Sequence, residues 1–135
     1  MKLSASSRYA VTAMFDLATN GEGPITAAKI SKRQGIPLSY LEQLLLKLRR
    51  AGLVKTVRGP AGGYALAKKP SQVSIGDVIR ATEGPVALAD CIPSAKCCPK
   101  SGCCSTRRLW QKLNQKVTKV FDSTTIGDLC RGIKL

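Results

Sequence analysis

Residues 26–66, TAAKISKRQGIPLSYLEQLLLKLRRAGLVKTVRGPAGGYAL, carry most of the architecture. Thr26 suits the N-cap of a short helix through Ala27-Ala28-Lys29-Ile30-Ser31, its hydroxyl accepting from a first-turn N–H. Gly35-Ile36-Pro37 is a tight break. Ser39 is expected to open a third helix, with Glu42 three residues later. That Ser-x-x-Glu pattern is a capping box, in which each side chain satisfies an orphan donor. Leu41, Leu44, Leu45 and Leu48 recur on one face and predict the buried side. Lys47, Arg49 and Arg50 fall near the C-terminal end, where cations suit the helix dipole. Gly52 ends the helix. Leu53-Val54-Lys55-Thr56-Val57 has strand character, and Tyr64-Ala65-Leu66-Ala67 returns as a second strand. Between them Arg58-Gly59-Pro60-Ala61-Gly62-Gly63 is expected to form a six-residue hairpin loop.

Working outward, the segment from about Ser6 to Asn20 places Tyr9, Ala10, Ala13, Met14, Leu17 and Ala18 at three- and four-residue steps. This is the stripe of a first helix, stopped by Gly21, Gly23 and Pro24. A fourth helix is expected from Ser74-Ile75-Gly76-Asp77 to near Thr82. The order helix, helix, helix, hairpin, with a short glycine-containing link before the third helix, outlines a winged helix-turn-helix. The expected class is mostly α with a small β-hairpin. A long amphipathic helix follows from about Ser105 to Phe121, with Leu109, Leu113, Val117 and Val120 as its stripe and Trp110 and Phe121 widening it. Its face must be buried, and a second copy of the chain is the useful partner, because dimers match two-fold DNA sites. A last short helix is expected from Thr125, with Asp128 completing another capping box.

The charge agrees with a nucleic-acid partner. The chain has 135 residues, with 22 Lys+Arg against 8 Asp+Glu, and a formal net charge of +14. Between Lys29 and Lys69 lie ten basic residues (Lys29, Lys32, Arg33, Lys47, Arg49, Arg50, Lys55, Arg58, Lys68 and Lys69) and one acid, Glu42. Neutralising phosphates with such a surface releases counterions. There is no histidine, which excludes a His general base, a Ser-His-Asp triad and histidine metal sites. No nucleophile–base pair is visible, and residues 58–63 lack the GKS/T ending of a P-loop, so an enzyme is not expected. No apolar run is long enough to cross a membrane. The N-terminus has no signal-peptide pattern, and a cytoplasmic protein is expected.

Residues 83–104 differ in composition: three prolines, two glycines and five of the six cysteines, Cys91, Cys97, Cys98, Cys103 and Cys104. The sixth is Cys130. No two pairs have the spacing of structural zinc. Cys91-x₆-Cys98-x₅-Cys104 offers three separated thiolates that an iron–sulfur cluster can use. Nearby Lys96, Lys100, Arg107 and Arg108 favour thiolate over thiol. The spacing leaves iron–sulfur, zinc, a metal-free thiol switch and inert cysteines as alternatives.

Several motifs together resemble the IscR/NsrR family of bacterial winged-helix regulators, and its IscR-like members most. They are Arg8-Tyr9-Ala10-Val11, Pro37-Leu38-Ser39-Tyr40-Leu41-Glu42-Gln43, Val57-Arg58-Gly59-Pro60-x-Gly62-Gly63-Tyr64, Glu83-Gly84-Pro85, and Cys98-Pro99-Lys100-Ser101 with Cys104-x-Thr106-Arg107-x-x-Trp110. The resemblance implies a homodimer joined through the 105–121 helix and an operator in double-stranded DNA. It also implies an iron–sulfur cluster on Cys91, Cys98 and Cys104, either 2Fe–2S, which is preferred, or 4Fe–4S. The histidine that IscR-like proteins place three residues after the last cysteine is Arg107 here. The carboxylate that NsrR-like members use near the N-terminus is replaced by Arg8. The fourth ligand is left to Cys97, Cys103, Cys130, an acidic side chain or an external thiol.

Within this frame residues 1–82 are the DNA-binding domain, 83–104 the cluster-binding loop, and 105–135 the dimerisation helix and C-terminal helix. Ser39 and Tyr40 stand at the groove-entering end of the recognition helix. Glu42 can accept from cytosine N4, and Gln43 can pair with adenine. Lys47, Arg49 and Arg50 suit phosphates. Arg58 resembles the family's minor-groove arginine, and Gly59 beside it permits close backbone approach. The expected function is a transcription regulator, with operator binding controlled by a cluster that senses iron, redox state or cluster supply. The rivals are a metal-free thiol-redox repressor using the same cysteines and a module that docks on an enzyme.

Overall fold

The computed structural model describes residues 2–89, 92 and 105–132. Five of the six cysteines, among them Cys91, Cys98 and Cys104, lie outside the described residues. Helix α1 spans Ala5–Thr19, α2 Ala27–Gln34 and α3 Leu38–Arg50. Strands β1, Val54–Val57, and β2, Gly63–Leu66, pair antiparallel. A 3-10 turn at Pro70–Gln72, which periodicity did not reveal, leads to α4, Ile75–Glu83. Helices α5, Ser105–Ser123, and α6, Ile126–Arg131, complete the order. The fold is a winged helix-turn-helix with a long C-terminal helix, as expected.

The local reasons are visible at each helix start. The Ser4 hydroxyl accepts from the Ser7 N–H at 3.1 Å, and the Thr26 hydroxyl from Lys29 N–H at 3.3 Å. Ser74 with Asp77, and Thr125 with Asp128, form reciprocal capping boxes. The box expected at Ser39 and Glu42 does not form. Pro37, with φ −54°, occupies the N-cap of α3, and no side chain caps it. Proline's fixed φ and missing N–H let the helix begin at Leu38, which carries Ser39 into the first turn and leaves both side chains exposed.

The core lies under the three N-terminal helices. Ala10, Ala13, Met14 and Leu17 of α1 meet Ile30 of α2, Leu41, Leu45 and Leu48 of α3, and Val78 of α4. The turn between α2 and α3 is set by Gly35, left-handed at φ 67°, whose N–H donates to Ser31 O at 2.9 Å. That conformation suits glycine and closes α2.

The chain after α5 returns to this core. Ile75 N–H donates to Thr124 O at 2.8 Å, and Ile126 N–H to Val73 O at 2.9 Å. The Ile126 side chain is fully buried, and α6 packs on α1 and on the 3-10 turn. Gly127 permits that approach, because a Cβ there would stand 3.1 Å from Ser71 N.

Candidate nucleic-acid interface and the anchored cysteine segment

Helix α3 buries Leu41, Leu44, Leu45 and Leu48 and turns Ser39, Glu42, Gln43, Leu46, Arg49 and Arg50 outward. Tyr40 is half-buried, its ring edge-to-face on Tyr9 of α1, with centroids 5.8 Å apart and planes at 78°. Such a pair adds packing energy beyond the area it buries, so Tyr40 ties the start of α3 to α1. Lys47 Nζ donates to Thr82 O at the end of α4, at 3.4 Å. Glu42 has no hydrogen bond or ion pair among the described residues. With its capping role gone, its carboxylate is open to solvent.

The wing is shorter at its tip than its composition suggested. Gly63 pairs with Val57, so the loop is residues 58–62, closed by Gly62 N–H on Gly59 O at 2.9 Å. Arg58 and Gly59 are exposed at that tip. The wing is also fixed at its base. Tyr64 N–H donates to Ile25 O at 2.7 Å, and Ile25 N–H to Tyr64 O at 2.8 Å. This bridge joins β2 to the residue before the N-cap of α2, so the base of the wing is hydrogen-bonded to the helix-turn-helix.

Not every cation in the basic stretch is available. Arg33 Nη2 lies 2.5 Å from Asp16 Oδ1, its Nε donates to Asp16 Oδ2 at 3.0 Å, and Gln34 Nε2 donates to the same oxygen at 2.8 Å. Asp16 is fully buried on α1. Burial pushes its carboxyl pKa up, but hydrogen bonds from Arg33 and Gln34 and the Arg33 charge outweigh that and hold it below the usual range. Arg33 was counted with the phosphate-facing cations; its charge is spent on orienting α2. Asp16, inside the first helix, was missed, and a lone acid on an otherwise apolar helix face was the signal.

Helix α5 begins directly after the cysteine segment and also holds the chain just before it. Asn114, the buried residue of α5, accepts from Leu88 N–H at 2.8 Å and donates to Val86 O at 3.0 Å. The entry to the segment is thereby fastened to the helix that begins at Ser105, directly after Cys104. Asn114 was missed as a functional residue, because its partners are backbone groups 26 and 28 positions upstream. Replacing it with Ala leaves a partly buried donor and acceptor unpaired. The expected cost is about 2 kcal/mol, seen as faster hydrogen exchange at the Leu88 amide in metal-free protein, with α3 amides unchanged.

The α5 stripe divides. Val117 and Phe121 are half-buried and line, with Leu3, Ile79, Val86 and Leu88, a groove of about 410 Å³. Leu109, Trp110, Leu113 and Val120 are exposed. Arg80 bridges Asp77 at 3.2 Å and Asp122 at 2.8 Å, tying the start of α4 to the end of α5. Cys130 is exposed on α6. Among the described residues no three Cys, Asp or Glu side chains come together as a metal site, and no helix is long and apolar enough to cross a membrane.

Comparison with known proteins places these features. The family model Rrf2, described as iron-dependent transcriptional regulator, matches residues 3–132. The chain is 47% identical over 130 residues to the HTH-type transcriptional regulator IscR of Aliivibrio salmonicida, covering 96% of this chain and 77% of that one. It resembles the structure of T. potens IscR with TM-score 0.80 and 40% identity, over 97% and 87% of the two chains. It also resembles Staphylococcus aureus CymR in its oxidised form, with TM-score 0.77 and 34% identity over 100% of both chains. The match runs across nearly the whole chain. The chain belongs to the Rrf2 family, and it is a DNA-binding transcriptional regulator of the IscR type rather than an enzyme.

Proposed function

We propose that this regulator acts in the cytoplasm as a homodimer whose operator binding is controlled by an iron–sulfur cluster reporting iron, redox state or cluster supply. Residues 1–82 bind DNA, 83–104 hold the cluster, and 105–135 pair the subunits and close the core. The observation that carries this is the Asn114 clamp. It attaches the entry of the cysteine segment to α5, while α5 itself starts at the segment's exit. A change of state at the cysteines therefore reaches the helix that stands between two DNA-binding units.

The donor set suits the group. Cys91, Cys98 and Cys104 supply three thiolates, and with Arg107 in place of the family's histidine the fourth position falls to another donor. A 2Fe–2S centre is preferred to 4Fe–4S, because the DNA-reading half resembles IscR. When bound, the cluster supplies a centre that oxidants and iron shortage alter. Pairing uses the exposed part of the α5 stripe, Leu109, Leu113 and Val120, which water would otherwise cover. On DNA, Ser39, Glu42 and Gln43 face base edges. Tyr40 holds the helix end, and Lys47, Arg49 and Arg50 lie along phosphates. Arg58 and Gly59 enter the minor groove from the wing.

A second reading has its own support. The likeness to CymR in an oxidised form favours a metal-free thiol switch on the same cysteines. Anaerobic purification with iron and sulfide assays separates the two, and Cys98→Ala completes the test. About two irons and two sulfides per chain are expected for the wild type, and none for Cys98→Ala, with operator affinity or site choice changed. An iron-free wild type that still responds to oxidant supports the thiol reading. Unchanged DNA binding in Cys98→Ala overturns control through this segment.

A further inference from the structure

Helix α3 carries two exposed leucines that neither the core nor charge complementarity uses, Leu38 at its first residue, 42% exposed, and Leu46 in its middle. Leu46 is 41% exposed. At about 100° per residue, Leu41, Leu44, Leu45 and Leu48 share one side of the helix, and Leu46 falls opposite them. Ser39, Glu42, Gln43, Arg49 and Arg50, all exposed, surround it on the neighbouring turns. It therefore lies on the outward face, within about 30° of its middle, beside Ser39 and Arg50. When a helix lies in the major groove with its buried side toward its own core, the middle of that face is nearest the groove floor, and the flanks face the walls.

A single exposed leucine on a protein surface ordinarily calls for no explanation. Leu46 is near the middle of a face that DNA binding must desolvate. Against polar base edges its side chain would strip water from donors and acceptors and return nothing. The floor of the major groove offers one apolar feature, the C5-methyl group of thymine. Along the helix axis Leu46 is about 6 Å from Glu42, close to two base-pair steps of about 3.4 Å.

We infer that Leu46 is a specificity-determining residue that contacts a thymine methyl about two base pairs from the base addressed by Glu42. The inference rests on α3 being the reading helix. Leu46 prefers thymine over cytosine at that position because cytosine lacks the methyl group.

The test starts from a preferred sequence selected by the full-length protein from random duplex DNA. Each thymine of that site is then replaced by deoxyuridine, which removes only the methyl. For wild type, one replacement is expected to weaken binding about fourfold, the worth of one buried methyl-sized contact. For Leu46→Ala the same replacement should change affinity less than about twofold, while other thymines behave as in wild type. If every replacement affects both proteins equally, or none affects wild type, the inference is overturned, whereas base reading by Glu42 stands if Glu42→Ala still changes the selected sequence. If no sequence is preferred at all, the reading of α3 falls and this inference with it.

Discussion

Gly63→Val is expected to lower the melting temperature by about 10 °C, corresponding to about 3 kcal/mol for a chain of this size, and to reduce operator binding by more than about tenfold. Gly63 has φ +156°, and a Cβ there would stand 2.5 Å from both C and O of Ile25 and 2.9 Å from Thr26 N. These are backbone atoms, so no side-chain rotation relieves the collision. The two hydrogen bonds between Ile25 and Tyr64 must open, and with them goes the attachment of the wing to the start of α2. The comparison variant is Arg58→Ala at the exposed tip. It should weaken DNA binding while leaving the melting temperature within about 2 °C. Thermal melting and operator titration at one protein concentration and one salt concentration distinguish a lost contact from a lost wing.

Asp16→Asn is expected to cost about 3 kcal/mol at neutral pH. The substitution keeps the shape but turns an amide donor toward the donors of Arg33 or Gln34. Asp16 is fully buried, whereas the Arg33 side chain is 39% exposed, so the arginine regains water and the loss falls mainly on the Asp16 side. The pH dependence carries a definite sign. The folded-state pKa of Asp16 lies below its unfolded value. Its contribution is therefore full above roughly pH 4, where the unfolded carboxyl titrates. It is lost as pH falls through the lower folded value. The gap between wild type and Asp16→Asn, measured by denaturant melts, should be constant from neutral pH to about 5 and narrow under more acid conditions. A gap independent of pH down to 2 would show that the charge of Asp16 contributes nothing. Asp77 and Asp128 are also held below the usual range, by hydrogen bonds within their own capping boxes and their arginine neighbours. Both remain in the variant, so the narrowing isolates Asp16.

The particular elements divide by how far apart their determinants lie in the chain. Leucine spacing on α3, the hydroxyl before α2, the glycines and strand residues of the wing, and the Thr125–Asp128 pair were all legible, because each is set by residues within a few positions. The pattern Ser39-x-x-Glu42 has the same letters as a true box, yet Pro37 two residues earlier already satisfied the requirements of a helix start. The error lay in weighing two local signals, and its correction changed function: Glu42 is open rather than engaged.

The sequence by itself determined the three helices and hairpin, the basic field around them, the absence of histidine chemistry, and the spacing of Cys91, Cys98 and Cys104. These follow from short-range sterics, hydrophobic period and composition. Only the tertiary structure decided that Arg33 serves Asp16, that Tyr40 leans on Tyr9, that the wing is pinned at Ile25, and that Asn114 holds the entry to the cysteine segment. Each is a pairing of groups distant in sequence. Burial makes such pairings obligatory, since a polar group removed from water must find a partner wherever the fold puts one, and no local pattern records which partner that is.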